Sequence, residues 1–318
     1  MRGLLLVLLF PFFLLSQTNF ELAQNYYLQG NSAKARTLFE QHLKQYPADL
    51  ATLEYLGDVA GDAKDWDTAM MYYKSLVIKD TANANYHYKY GGVLGMKALS
   101  VNKLSAAFYI SDVKTHFKKA AILDPTHTQA REALVELYMQ LPSIIGGSQQ
   151  TALFYADELA QLSPEKGYLA KGYIADYAGD TIAAEQFYKK AVAVQGSIVA
   201  STKLVGFYKK TNQINKALQV LKQSLALNGQ HNQLNYQIGE LVARYTLDSK
   251  LGIEALKRYL ENYSTKDNTS QQWAYLRLAQ VYKNTGDKIK ALFWVDKALE
   301  EAPEFKEASK EKILIQLL

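Results

Sequence analysis

Cysteine is absent from this 318-residue sequence. The absence excludes disulfides, thiolate metal sites, a thiol nucleophile and the lipidated cysteine of a bacterial lipoprotein. Proline is scarce, at six residues, so long helices are expected and a turn-rich all-β fold is not. The chain also lacks the composition of a disordered protein, because 48% of its residues are hydrophobic and 21% are charged. Composition therefore predicts a folded, helical chain.

Clustered charge of one sign is missing as well. The formal net charge of +5 is spread over many Lys and Glu positions without a block of like charges. A nucleic-acid surface would need a concentrated basic face. Lysine pairs such as Lys118-Lys119 and Lys189-Lys190 fall on the predicted outer faces of helices and are interpreted as solvated surface. No nucleic-acid partner is expected.

The first 16 residues have the layout of a signal peptide. Arg2 supplies the positive charge, and an apolar run of about 12 residues from Leu4 to Leu15 leads to Ser16. A membrane anchor would need roughly 20 apolar residues, which makes a retained anchor the weaker interpretation. We expect cleavage near Ser16, no transmembrane segment in the mature chain, and export to the periplasm or the medium.

The remaining sequence repeats with a period of about 34 residues. The clearest unit places small residues, a Gly-Asp turn and aromatic residues at Tyr168, Gly172, Ala175, Gly179-Asp180, Ala184, Tyr188 and Ala191. A second unit repeats the pattern at Tyr275, Ala279, Tyr282, Gly286-Asp287, Ala291, Ala298 and Pro303. The pattern resembles the tetratricopeptide repeat, in which each unit is a helix-turn-helix.

The resemblance implies an all-α fold, a right-handed superhelical solenoid of about eight helix-turn-helix repeats with a C-terminal capping helix. The predicted units are 17–49, 50–83, 84–127, 128–164, 165–198, 199–231, 232–271 and 272–305, and the cap is 306–318. Three units carry insertions. We expect about ten extra residues in 84–127, an enlarged turn at 141–148 and extra residues near 246–250.

The residue types at the recurring positions of the period have a physical reason. Small residues allow the two helices of a unit to approach closely, as expected at Gly57, Gly172 and Ala184. Prolines are expected to end the second helix of a unit and to set the entry to the next unit, at Pro47, Pro125, Pro164 and Pro303. A single unit is too small to bury both of its faces, so stability must come from stacking.

No constellation of catalytic or metal-binding residues is recognisable. The five histidines are scattered and form no H-E-x-x-H motif, and the glycine pairs lack the frame of a phosphate-binding loop. We therefore predict a protein that is not an enzyme, with no catalytic residues, no metal and no cofactor. An enzyme with an unrecognised site stays open as an alternative.

In proteins that this sequence resembles, the first helix of each repeat lines a concave surface that holds a peptide or a helix. Projected onto this sequence, that surface is acidic in the N-terminal half and basic in the C-terminal half, with aromatic residues as anchors. The alternative is that these residues are helix-packing or ordinary surface residues. The candidate partner-binding residues are Glu54, Asp58, Tyr88, Glu132, Glu136, Tyr173, Tyr177, Lys209, Lys210, Tyr236, Arg244, Trp273 and Lys283.

The predicted function is that of a non-catalytic scaffold or adaptor of the cell envelope that binds a protein or peptide. The alternative is an envelope protein that binds glycan or peptidoglycan fragments through its tyrosine-rich surface. Association with an envelope complex is compatible with either function. The sequence does not name the partner.

Overall fold

Helices account for all the regular structure in the described part of the chain. The computed structural model describes residues 18–265 and 267–318, in which there are 17 α-helices and no strand. They are α1 Asn19–Leu28, α2 Ser32–Gln45, α3 Leu50–Asp62, α4 Trp66–Lys79, α5 Ala84–Ser100, α6 Lys103–Leu123, α7 Thr128–Gln140, α8 Gln149–Leu162, α9 Pro164–Tyr177, α10 Thr181–Gln195, α11 Ile198–Lys210, α12 Ile214–Leu227, α13 Gln233–Tyr245, α14 Ser249–Glu261, α15 Gln271–Asn284, α16 Lys288–Glu301 and α17 Lys306–Gln316. The fold class is an all-α helical repeat solenoid, as predicted.

The chain divides into two compact units, the first ending at Tyr155 and the second beginning at Ala156. Within each unit, successive helices pack as neighbours, for example α5 on α6 and α15 on α16. Two helices fall in each predicted repeat, and α17 packs against α16. The leader, residues 1–16, lies outside the described residues. No helix of the described ranges is long and apolar enough to cross a membrane.

The recurring Gly-Asp pair forms the turn between the two helices of a repeat. Gly179 has a φ of 84°, a left-handed conformation that favours glycine, and it ends the turn after α9. The Asp180 side chain then accepts a hydrogen bond from the Ala183 amide at 2.9 Å and caps α10. The same cap forms at Asp287, where the Lys290 amide donates at 3.0 Å.

Small residues bring the paired helices into close contact, as the sequence predicted. A methyl group on Gly172 would lie 2.7 Å from the Tyr188 ring, and one on Gly57 would lie 2.6 Å from the Tyr73 ring. Ala184 is completely buried. Each tyrosine therefore packs across a glycine of the preceding helix, and the burial of these apolar surfaces stabilises the repeat.

Two of the three predicted insertions lie where the sequence indicated, and one does not. The first lengthens α5 to 17 residues and α6 to 21, compared with 13 and 14 in α3 and α4. The second forms a 3₁₀ turn at Ser143–Ile145. The prediction near 246–250 was wrong: only three residues separate α13 from α14, and the extra residues lie in the longer connection 262–270.

Candidate functional site

In the first unit, the predicted acidic residues are engaged by a lysine of the next repeat. The Lys89 ammonium on α5 lies 2.7 Å from Glu54 Oε1 and 2.7 Å from Asp58 Oδ1 on α3. The Tyr73 hydroxyl also donates to Asp58, at 2.6 Å. Burial by itself would lower the pKa of Lys89, but the two carboxylates outweigh it and raise that pKa above its usual value. The ion pairs between these carboxylates and Lys89 therefore connect two successive repeats.

The other candidates of the first unit lie on α5 and α7. Tyr88 is half-buried, and its ring packs 5.9 Å from the Phe117 ring and 5.0 Å from the His127 ring. Burial raises the pKa of Tyr88, and the nearby Glu132 and Glu136 carboxylates add to the effect. The structure therefore brings Tyr88, Glu132 and Glu136 into one neighbourhood, while Tyr88 also contributes to helix packing.

In the second unit, four candidates lie near the ends of α9 and α11. The rings of Tyr173 and Tyr177 are 5.9 Å apart, and about half of Tyr177 is exposed. Lys210 forms an ion pair with Asp176 at 2.8 Å, whereas Lys209 is exposed. A carboxylate on the first helix of one repeat, α9, thus pairs with a lysine on the first helix of the next repeat, α11. Asp58 on α3 and Lys89 on α5 form the same kind of pair.

The last repeats of the second unit bring the remaining four candidates together. A cavity of about 660 Å³ between α13, α15 and α17 is lined by Arg244, Trp273 and Lys283. A neighbouring cavity of about 360 Å³ is lined by Tyr236 and shares Arg244 and Trp273 with the first. We call the two together the Arg277 cavity, after the buried arginine that lines both.

Arg277 itself was missed by the sequence analysis. Only 5% of this residue is exposed, and its guanidinium lies over the Trp273 ring at 5.4 Å. Its Nη1 donates to Gln280 Oε1 at 2.9 Å, and its Nη2 donates to Glu240 Oε1 at 3.3 Å. No acceptor among the described residues reaches its Nε. The spacing of four residues between Trp273 and Arg277 was the available signal, because it places both on one helix face.

Acidic residues partly neutralise the basic wall of this cavity. Glu240 Oε1 accepts from Arg244 at 3.0 Å as well as from Arg277. Glu311, on the capping helix α17, lies 2.5 Å from the Lys283 ammonium and also accepts from Gln280 at 2.9 Å. Half of the Arg244 side chain remains exposed. The charges inside the cavity are therefore largely paired, and the exposed part of Arg244 provides hydrogen-bond donors at its rim. Trp273 adds an apolar surface beside them.

Tyr236 is the most deeply buried of the aromatic candidates. Only 6% of it is exposed, and its ring packs 5.4 Å from the Tyr259 ring. Burial raises the pKa of Tyr236, against the opposing effect of the Arg277 guanidinium. Trp273 is less buried and packs edge-on against Phe305 at 4.7 Å. Of the two, Trp273 offers more surface to a partner.

Two of the histidines that look scattered in the sequence are in contact. The Nδ1 atoms of His87 and His116 lie 2.8 Å apart, and His87 Nε2 lies 3.1 Å from the Thr81 carbonyl oxygen. A carbonyl oxygen only accepts, so His87 Nε2 carries a proton and, in neutral His87, Nδ1 accepts from His116. Among the described residues no group of three or more His, Asp or Glu is placed to hold a metal ion.

Comparisons with known proteins match three parts of the chain to a family. One tetratricopeptide-repeat model matches residues 165–197 and 274–305, and another matches residues 17–49. No curated protein matches the chain.

Several solved structures are similar in fold. A tetratricopeptide-repeat protein from Parabacteroides merdae is 12% identical, with 94% of this chain and 97% of that chain covered and a TM-score of 0.48. A thermophilic one from Thermus thermophilus is 16% identical, with 71% and 98% covered and a TM-score of 0.44. YrrB, described as having an unusual peptide-binding site, is 18% identical, with 62% and 97% covered and a TM-score of 0.43.

Three ranges matched by the family models coincide with predicted repeats, and each contains the expected pair of helices. The bounds of the other predicted repeats and the binding roles of the candidate residues stay predictions. On the matched ranges and the helical architecture together, the chain is a tetratricopeptide-repeat protein.

Proposed function

We propose that the protein is a non-catalytic scaffold that binds a protein or peptide partner in the Arg277 cavity. Tetratricopeptide-repeat proteins are in general non-catalytic scaffolds, and this chain contains such repeats. The observation that carries the proposal is Arg277: a buried guanidinium that lies over the Trp273 ring in the wall of an open cavity and whose Nε finds no acceptor among the described residues. A buried donor without an acceptor is costly unless a ligand or water supplies one.

The chemistry of the cavity favours a peptide with an acidic or carbonyl-rich segment beside an apolar side chain. Arg244 and Lys310 lie at its edge, where they can approach a carboxylate. Trp273 and Leu276 provide apolar contact area. Basic groups outnumber acidic ones in the lining by one, with Arg244, Arg277, Lys283 and Lys310 set against Glu240, Glu307 and Glu311.

The alternative ligand class, a glycan or peptidoglycan fragment, is less well supported at this cavity. Sugar rings bind by stacking on an open aromatic face. The Arg277 guanidinium already lies over Trp273, and Phe305 packs edge-on against it. Tyr236 is buried.

The proposed location is the cell envelope or the medium after removal of residues 1–16. The support is the apolar run from Leu4 to Leu15, which is too short for a spanning helix. N-terminal sequencing of the protein purified from its host should begin near Gln17. Recovery of an intact Met1 end on the mature protein would contradict export by this route.

A peptide array tests the binding proposal. The fluorescently labelled full-length chain is applied to peptides that vary in acidic content, apolar content and C-terminal carboxylate. We expect selection of peptides that combine acidic and apolar residues. The rim variant Arg244→Glu/Lys310→Glu should weaken the selected peptides at least about tenfold, because it reverses two charges at the cavity edge. Trp273→Ala should also weaken them, through loss of an aromatic anchor.

The matched control is Lys257→Glu/Arg258→Glu, which reverses two exposed charges on α14 outside the cavity lining. It should leave the selected peptides within about twofold of their original affinity. Equal weakening by the control and the rim variant, or no selected peptide at all, would overturn the proposal.

A further inference from the structure

The lengthened α5–α6 hairpin of the first unit carries an apolar surface that no element of residues 18–265 or 267–318 covers. Leu99 near the end of α5 is 75% exposed, and Leu104 and Phe108 in the first turns of α6 are 83% and 84% exposed. These residues belong to the insertion that lengthens both helices. Scattered single apolar residues on a surface are ordinary, but these three are clustered at one end of one hairpin.

Helix α6 has two distinct faces. Its inner face buries Val113, Phe117, Ala120 and Ala121. At 100° per residue the opposite face carries Leu104, Phe108, Ser111, Asp112, Thr115, Lys118 and Lys119, with Ile122, which is 72% exposed, at its end. The face away from the packing partners is therefore apolar in the first two turns of the helix and at its end, and polar between them. We call the face formed by these outward residues the outer face of α6.

Basic residues lie on the outer face and beside it. Helix α6 contains four lysines, Lys103, Lys114, Lys118 and Lys119, and a single acid, Asp112. Lys114 and Lys118 converge over the Tyr138 ring, with ammonium-to-centroid distances of 5.8 and 5.9 Å. They line a cavity of about 430 Å³ together with Ser111, Thr115 and Ile145.

The two converging lysines have no acidic partner in the described part of the chain. Lys114 donates to the Ile145 carbonyl oxygen at 2.7 Å, and no carboxylate of residues 18–265 or 267–318 forms an ion pair with Lys114 or Lys118. Burial lowers the pKa of Lys114, and the charge of Lys118 adds to the effect. An anion that entered the cavity would relieve both unfavourable effects.

We propose that the outer face of α6 binds an anionic phospholipid membrane surface. Leu104 and Phe108 would enter the boundary between headgroups and acyl chains. Leu99 is exposed near the end of α5, and Ile144 is exposed in the turn whose Ile145 carbonyl oxygen accepts from Lys114. Lys114 and Lys118 would contact lipid phosphate groups, and Lys103 would be attracted to the same negative surface.

The charges favour a lipid surface over a second copy of this chain. A two-fold contact between two outer faces would place the Lys114 and Lys118 side chains of both copies in one interface, and this concentration of positive charge is repulsive. The apolar side chains favour a lipid surface over an acidic protein. The lysine-lined cavity does not include Leu104 or Phe108 in its wall, so these side chains stand on an open helix face. A fluid membrane accepts such side chains without a complementary shape.

Vesicle binding with a local fluorescent reporter tests the proposal. The full-length Phe108→Trp chain is mixed with vesicles of phosphatidylcholine, with or without phosphatidylglycerol, and the spectrum of the unsubstituted chain is subtracted to remove the signal of the three native tryptophans. With phosphatidylglycerol present, emission of the introduced tryptophan should shift to the blue and be quenched by brominated acyl chains. Ile289→Trp, at a position 83% exposed in the second unit, should show neither change.

Charge variants test the lysines separately. Lys114→Gln/Lys118→Gln in the Phe108→Trp chain should weaken vesicle binding about 30-fold. The loss of each lysine from a negative surface weakens binding about five- to sixfold, and the two factors multiply. Lys189→Gln/Lys190→Gln, a matched exposed pair on α10, should change it less than about twofold. Residues 1–17 are the same in every variant and cannot produce the difference.

Three results would overturn the proposal. The first is that the tryptophan introduced at position 108 stays in water with both kinds of vesicle. The second is that the two lysine variants bind equally well. The third is that inorganic phosphate or polyglutamate binds at Lys114 and Lys118 while vesicles do not, which would identify a phosphate site or a protein-binding face in place of a membrane surface.

Discussion

The contact between His87 and His116 places two titratable rings inside the first unit. Burial lowers the pKa of His116, and the charge of His87 adds to this, while Asp112 opposes it. The Tyr90 ring packs edge-on against His116 at 4.6 Å. Burial also lowers the pKa of His127, whose Nδ1 accepts from the Ala130 amide and caps α7. Protonation of His116 or His127 is therefore disfavoured in the folded chain.

These shifts fix the sign of a pH dependence. An unfolded histidine has a pKa of about 6.5, and a lower pKa in the folded state means that the unfolded chain binds more protons. The free energy of unfolding of the first unit should therefore fall as the pH is lowered through about 6.5. His116→Asn should make this fall shallower. Thermal unfolding measured across this range checks it, with the exposed His231→Asn as the control that leaves the slope unchanged.

Two glycines in helices of the second unit should respond to alanine with opposite signs. A methyl group on Gly239 would overlap the Leu256 side chain, and Leu256 is fully buried, so Gly239→Ala should destabilise by about 1–3 kcal/mol. Gly206 has no atom within 4 Å of such a methyl group, and Gly206→Ala should stabilise by about 0.5–1 kcal/mol. Circular dichroism during denaturant unfolding measures both. Shifts of the same sign would contradict the packing described.

Single residues also mark the limit of what the sequence could predict about the site. The sequence pointed to Trp273, Arg244 and Lys283, which line one cavity. The sequence could not predict that Tyr236 is buried while Trp273 is partly exposed, because both are aromatic residues on the first helix of a repeat. Side-chain burial depends on the crossing of neighbouring helices, and the spacing of residues along one helix does not contain that information.

At the scale of the helices, ion pairs join the first helices of successive repeats. Lys89 reaches Glu54 and Asp58, Lys210 reaches Asp176, and Arg277 reaches Glu240. The partners lie 31 to 37 residues apart in sequence, about one repeat. Several of these residues, Glu54, Asp58 and Lys210, belong to the charged binding surface that the sequence predicts. Their pairing reduces the charge that each leaves available to a partner.

Removal of one such pair tests its contribution. Lys89→Met leaves two carboxylates, each about three-quarters buried, without their ammonium partner, and should destabilise the first unit by about 1–3 kcal/mol. Arg36→Met removes an exposed pair with Glu40 and should change stability by less than about 0.5 kcal/mol. Hydrogen exchange of the α3 and α5 amides reports the effect locally. Equal effects of the two substitutions would show that the α3–α5 pair adds nothing.

The periodic sequence predicted the helices well, and the seventh repeat shows why one insertion was misplaced. Thr246 adopts a left-handed conformation with a φ of 50°, a role usually taken by glycine. It ends α13 and permits a three-residue turn into α14. No glycine occurs between Gly239 and Gly252, so the sequence does not mark this short turn. The extra residues follow α14, where Tyr259 contacts the Thr269 carbonyl oxygen.

At the scale of the whole molecule, the two units carry different surfaces. The first unit contains the outer face of α6, and the second contains the Arg277 cavity. The chain's composition could predict neither, because its charge is spread evenly through the sequence. Both surfaces depend on the folded repeats: lysines one helical turn apart converge on Tyr138, and residues of α13, α15 and α17 meet around Arg277.

Binding of a partner in the Arg277 cavity should protect the amides of the helices that form the cavity. Hydrogen exchange of the full-length chain, with and without the tightest peptide selected on the array, tests this most directly. We expect added protection in α13, α15 and α17, with none in α1 to α7, and loss of that protection in Arg244→Glu/Lys310→Glu. Protection confined to other helices, with that variant unaffected, would contradict it.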